Sequence, residues 1–227
     1  MKHRIEQVKK RIKDTAKACK RPMASIRLVA VSKTMPAEVV RDAIEAGILD
    51  LGENYIQEAK EKINALAAYP VTWHFIGHLQ SNKARYAVRF FDLIHSVDSL
   101  KLAQELNKYA KKNDKIQAIL IQVNVAKEVS KSGVYVEDTL HLLREVSRLE
   151  NIAVKGLMTM PPFFNAPQKA RPYFAALREL RDHIKLEAIS NISMDELSMG
   201  MTGDFETAIE EGATIVRIGT AIFGDRR

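Results

Sequence analysis

The sequence predicts an α/β fold: a single (β/α)8 TIM barrel with an extra helix at its N-terminus. Three observations carry this. Eight short, β-branched runs follow residue 26, and helical patterns alternate with them. Most runs are mainly apolar rather than cleanly alternating, as strands of a buried parallel sheet should be. The length of 227 residues suits a fold that spans about 200 to 250 residues. A doubly wound open sheet is the competing arrangement, and the strand count favours the barrel. No linker, low-complexity tract or internal repeat divides the chain, so residues 1–227 are expected to form one domain.

The first 21 residues carry Lys2, Arg4, Lys9, Lys10, Arg11, Lys13, Lys17, Lys20 and Arg21, much of the formal net charge of +7. Ile5, Val8, Ile12 and Cys19 recur there at helical spacing. The pattern predicts a basic amphipathic helix docked on the outside of the barrel, its charged face in solvent. The strands are expected at Arg27–Ser32, Ile48–Gly52, Thr72–Gly77, Leu93–Val97, Ile116–Val125, Ile152–Met158, Ile192–Ser198 and Thr214–Gly219. Pro36 suits the first turn of a helix with Val39, Val40, Ala43 and Ile44 on its apolar face, and Gly47 suits the left-handed residue just past its end. A second helix starts from Ser99 as N-cap, with Leu102, Ala103, Leu106 and Ala110 inward. A third starts near Val136, and a fourth covers about 168–186.

Composition narrows the function. The single cysteine, Cys19, rules out an intrachain disulfide and a cysteine-based metal cluster. There is no apolar run long enough for a membrane span and no apolar centre of a signal peptide. A cytoplasmic protein that engages no membrane is expected. The basic charge could serve nucleic-acid binding, but no interleaved aromatics or known binding motif accompany it. No nucleic-acid partner is expected, and a monomer or weak dimer is.

In such a barrel the chemistry belongs at the C-terminal ends of the strands. Lys33 follows the apolar run Leu28–Val31. A lysine at the rim of an apolar barrel is partly desolvated, which frees the amine as a nucleophile toward an aldehyde; a surface lysine just past a strand is the plainer alternative. Ser198 and Gly200 end strand seven, and Gly219 and Thr220 end strand eight. Small residues and hydroxyls at those two loops suit a phosphate, although glycine and serine are also ordinary turn residues. Thr202 or Asp204 could cap the short helix that follows.

Arg217 lies inside the apolar run of strand eight. A buried guanidinium needs a partner, either a structural carboxylate or a ligand acceptor. Met158, Met160, Met199 and Met201 gather near the mouth, as core packing or as an apolar wall for a flat ring. His74 and His78 stand four apart on a strand running into a turn, so they do not share a face and no metal site is expected. His95 and His141 have no such company, and His183 sits in a charged helix.

The stretches VAVSKT (29–34), GENYIQE (52–58), WHFIGHLQSNK (73–83), SKSG (130–133), GLM (156–158), SMGMTG (198–203) and VRIGTAIFG (216–224) together resemble the pyridoxal phosphate homeostasis proteins, also called the proline-synthetase-co-transcribed family. The resemblance covers the chain almost from end to end.

It implies a barrel of the alanine racemase N-terminal-domain type. It implies pyridoxal 5′-phosphate as cofactor, bound as an internal aldimine to Lys33, with Asn54 beside the ring and its 3-hydroxyl. Ser198, the backbone of Met199, Gly219 and Thr220 would hold the phosphate. Arg217 would face the pyridine nitrogen, and as a donor-only group it would leave the ring a poor electron sink. Met158 is a candidate for the wall beside the ring. Alanine racemase carries a second, all-β domain with a catalytic tyrosine, whereas this sequence ends at Arg227; strong racemisation is therefore not expected. The implied function is a non-catalytic protein that buffers the cofactor and hands it to apo-enzymes that depend on it. A weak amino-acid racemase is the enzymatic alternative, and a basic nucleic-acid-binding barrel a more distant one.

Overall fold

The computed structural model describes residues 1–224. Eight parallel strands close into a barrel in sequence order. They are β1 (Arg27–Val31), β2 (Asp50–Glu53), β3 (Thr72–Phe75), β4 (Leu93–Val97), β5 (Gln117–Gln122), β6 (Ile152–Met158), β7 (Ile192–Ser198) and β8 (Ile215–Ile218). β8 pairs back onto β1, with Val29 opposite Arg217. This places Lys33, two residues past β1, and Arg217 on neighbouring strands.

The helices are α1 (Lys2–Ala18), α2 (Ala37–Glu45), α3 (Ile56–Ala65), α4 (Ala84–Phe90), α5 (Leu100–Lys112), α6 (Val136–Val146), α7 (Arg171–Leu186), α8 (Phe205–Glu210) and α9 (Thr220–Phe223). The amphipathic ones turn their apolar stripes onto the barrel, as in α5, where Leu102, Ala103, Leu106 and Ala110 are buried. Ser99 caps α5 by accepting from the Leu102 amide. Gly47 has φ 89°, in the left-handed region.

The differences from expectation are local. β2 begins at Asp50 rather than Ile48, because the chain from α2 reaches the sheet two residues later. β3 stops at Phe75 and β5 at Gln122, where loop geometry replaces the ladder. Pro36 stands at the N-cap of α2 rather than within its first turn. α3 and α4 connect β2 to β4, in a stretch where weak apolar periodicity hid both.

α1 lies outside the barrel against α8 and α9. Its buried stripe is Ile5, Val8, Ile12 and Ala16, while Cys19 falls at the helix C-cap. Part of its basic face is engaged with the barrel. Arg11 pairs with Glu206 at 2.5 Å, Lys9 donates to the Gly47 carbonyl, and just past the helix Arg21 donates to the carbonyls of Ile209 and Ala213. These contacts make the basic segment a docked part of the fold. Ile12→Ala should lower unfolding stability by about 2–5 kcal/mol in urea titration, the loss expected of a truncated, fully buried isoleucine.

Candidate cofactor site at the barrel mouth

Strand pairing brings the expected site residues to one end of the barrel. Ser32-Lys33-Thr34 turn away from β1, Glu53-Asn54 end β2, Ser198-Met199 end β7, and Gly219-Thr220 follow β8.

Lys33 is half-buried, and its turn is pinned on both sides. Before it, the Ser32 hydroxyl donates to Glu53 at 2.6 Å. After it, Thr34 takes a left-handed φ of 66° and its amide donates to Glu58. Lys62 on α3 joins the two carboxylates, donating to Glu53 at 2.7 Å, to Glu58 at 2.5 Å and to the Ser32 carbonyl at 2.6 Å. Glu53 is fully buried, and Lys62 is 4% exposed. Burial pushes the Glu53 carboxyl above its ordinary range, while Lys62 and Ser32 pull it down. This network fixes the turn that carries Lys33.

Asn54 is held where β2 meets the end of β3. A Cβ at Gly77 would overlap the Asn54 backbone, so only glycine allows this approach. The Asn54 side-chain oxygen is buried without a hydrogen-bond partner. A cavity of about 520 Å³ opens beside it, lined in part by Gln57, Phe75, His78 and Lys83.

Arg217 is 3% exposed. Its Nη1 donates to Ser198 Oγ at 2.5 Å and its Nη2 to the Thr159 carbonyl at 2.9 Å. Burial lowers its pKa to about 10, and nearby Asp204 opposes that shift, so the guanidinium stays charged at neutral pH. Asp204 stands at the N-cap position of α8 but makes no side-chain cap bond; its carboxylate accepts instead from the Met201 amide at 2.6 Å.

Ser198 is fully buried, and its hydroxyl also contacts His95 Nδ1 at 2.9 Å. Its side chain therefore sits behind Arg217, inside the barrel. The Met199 amide bonds the Ile215 carbonyl, so it closes the strand edge. Met158 is sealed among Val29, Leu93, Leu120 and Ile215 in an inner apolar cluster, and Met199 is fully buried too, leaving Met160 and Met201 nearer the surface. Gly219 and the exposed Thr220 open α9 at the rim.

Sequence reasoning missed Glu53, Glu58 and Lys62, although a glutamate four residues ahead of a lysine on α3 was visible. It also missed the histidines. His95 has company: its Nε2 meets His74 Nδ1 at 2.9 Å.

The profile of the family described as "Alanine racemase, N-terminal domain" matches residues 2–227. A "Pyridoxal phosphate homeostasis protein" of Aquifex aeolicus is 46% identical over 224 residues, covering 99% of this chain and 97% of its own. The chain belongs to the pyridoxal phosphate homeostasis protein family. Among solved structures, PipY of Synechococcus elongatus, with PLP bound, superposes with a TM-score of 0.83 at 36% identity, covering 94% of this chain and all of PipY. An alanine racemase of Clostridium difficile superposes with a TM-score of 0.71 at 16% identity, covering 96% of this chain and 55% of that one. The racemase shares the barrel, and the homeostasis family shares the barrel and much of the sequence.

Lys62→Met should destabilise the fold by about 3–5 kcal/mol, because it leaves Glu53 buried without its cation. Replacing Glu53 and Lys62 together by Gln and Met should recover most of that loss in the same denaturant titration.

Proposed function

We propose that this protein binds pyridoxal 5′-phosphate at the barrel mouth, holds it as an imine on Lys33, and serves cofactor homeostasis rather than catalysis. The observation that carries the reading is Arg217. A charged, donor-only guanidinium is buried on the strand adjacent to the one that presents Lys33. Its two Nη atoms are anchored, one on Ser198 Oγ and the other on the Thr159 carbonyl. A guanidinium fixed in this way on the strand next to Lys33 suits an acceptor such as a pyridine nitrogen.

The other residues fit the same ligand. Bound pyridoxal phosphate supplies an aldehyde, to which the half-buried Lys33 amine is the matching nucleophile. The unpartnered Asn54 oxygen accepts from a hydroxyl on the ring. A Cβ at Gly219 would meet only the Val31 side chain and carbonyl, no closer than 3.5 Å, so protein packing does not demand glycine there. Close approach of a phosphate to the Gly219 and Thr220 amides and the Thr220 hydroxyl does. Ser198 and Met199 support the site from behind, Ser198 through Arg217 and Met199 through the strand edge. Met158, fully buried in the inner apolar cluster, packs within the barrel rather than forming an exposed wall.

The homeostasis reading follows from the family and from Arg217. A guanidinium at the ring nitrogen does not accept a proton and does not protonate the nitrogen, so a carbanion on the bound cofactor gains little stabilisation. The recipients on this reading are apo-enzymes that use the same cofactor.

Borohydride reduction of protein loaded with pyridoxal phosphate should leave a pyridoxyl group on the Lys33 peptide, read by peptide mass. Lys33→Ala should lose that adduct yet keep phosphate-anchored binding. An adduct of equal yield in Lys33→Ala, or no uptake of the cofactor by the native protein, would overturn the reading.

A further inference from the structure

Behind Arg217 the barrel interior holds a continuous file of polar side chains. Ser198 on β7 meets His95 on β4 at 2.9 Å. His95 meets His74 on β3 at 2.9 Å. His74 Nε2 meets Asp50, the first residue of β2, at 3.0 Å. A contact between β4 and β7 is possible only through the middle of the barrel. Ser198, His74 and His95 are fully buried. At the far end Arg27 lies 3.9 Å from Asp50 and 3.1 Å from Glu196. The file therefore runs from the cofactor mouth to the opposite rim.

The chemistry of the groups sets its direction. Arginine has no acceptor, so Arg217 donates to Ser198 Oγ. The single hydroxyl hydrogen of Ser198 is then available to His95 Nδ1. An accepting Nδ1 puts the His95 hydrogen on Nε2, which donates to His74 Nδ1. His74 in turn carries its hydrogen on Nε2 and donates it to the Asp50 carboxylate. Every donor in this arrangement has one acceptor. In the reverse sense His74 Nε2 and Asp50 would be two acceptors facing each other, unless His74 carried a second proton. Burial and the neighbouring His74, Arg217 and Arg27 hold His95 well below its ordinary pKa, which keeps it neutral.

We propose that Ser198, His95 and His74 form a one-way hydrogen-bond chain, anchored on Asp50, that fixes the Arg217 guanidinium from behind and thereby sets how firmly the ring nitrogen of the cofactor is held. We treat them as positioning residues, because the contacts that place them run to Arg217, to one another and to Asp50. The effect on the cofactor rests on the reading of Arg217 given above. The chain direction does not.

Two measurements test it. Nitrogen-15 spectra of the histidines in the cofactor-free protein should show both His74 and His95 as the Nε2–H tautomer at neutral pH. A hydrogen on Nδ1 of either ring overturns the chain direction. The second measurement is the release rate of pyridoxal phosphate, with the absorption band of the bound cofactor. His95→Leu removes both the acceptor and the donor and should release about tenfold faster, with a shifted band, the size expected when one hydrogen bond to a charged group loses its support. His95→Gln offers an amide oxygen to Ser198 and an amide N–H to His74, and should restore near-native release and spectrum. Native-like release from the Leu variant, or equal loss in the Leu and Gln variants, overturns the proposal. If the Leu variant does not fold, the tautomers and the Gln variant decide: a Gln variant that folds but releases about tenfold faster overturns it. Failure of the native protein to bind pyridoxal phosphate would instead defeat the cofactor reading, and the tautomers would still report on the chain.

Discussion

The burial of Arg217 is the constraint around which the interior of this barrel is arranged. A guanidinium taken out of water without partners is strongly unfavourable. Here Ser198, the Thr159 carbonyl and the nearby Asp204 carboxylate compensate it. Barrels of this class usually fill their centre with layers of branched aliphatic side chains. Only part of this interior follows that rule, in the cluster of Val29, Leu93, Leu120, Met158 and Ile215. Another part is a polar file of Asp50, His74, His95 and Ser198, linked end to end. A partly satisfied polar interior would be worse than an apolar one, so each member of the file depends on its neighbours.

The mouth is supported from two independent directions. From inside, the file of polar side chains holds Arg217. From outside, Lys62 on α3 ties Glu53 and Glu58 to the turn that carries Lys33. Both supports come from strands and a helix rather than from long loops. Groups fixed this way lose little freedom when a ligand arrives, which favours tight retention. The left-handed Thr34 is part of the same arrangement. Its conformation is strained for a residue with a Cβ, and the Glu58 bond to its amide keeps it in place.

What the sequence made legible was whatever depends on local pattern. The eight strands were visible because parallel strands buried on both faces read as apolar runs. Lys33 and Arg217 stood out because each charge adjoins or interrupts such a run. The hidden features depend on register. His74 and His95 lie 21 residues apart, and nothing in their own surroundings shows that β3 and β4 turn both rings inward. His95 and Ser198 are 103 residues apart and meet only because the sheet closes. The same closure explains why Ser198 reads in sequence as a loop hydroxyl for phosphate but lies beneath Arg217. α3 and α4 were hidden for another reason: their buried positions include Ala59, Lys62, Ala84 and Ala87, which carry little hydrophobic signal.

These features bear on why a barrel shared with racemases would serve as a holder. Catalysis with this cofactor draws electrons into the ring, and a protonated ring nitrogen makes that possible. Arg217 can only donate. In the proposed direction, from Ser198 through the histidines to Asp50, no member of the file would be placed to return a proton toward Arg217. On the proposed reading, anchoring the guanidinium more firmly would hold the cofactor more firmly and would also keep the ring a weak electron sink. Retention and low reactivity would then share one physical origin. The charge that must be compensated inside the barrel would then also restrain the chemistry at its mouth.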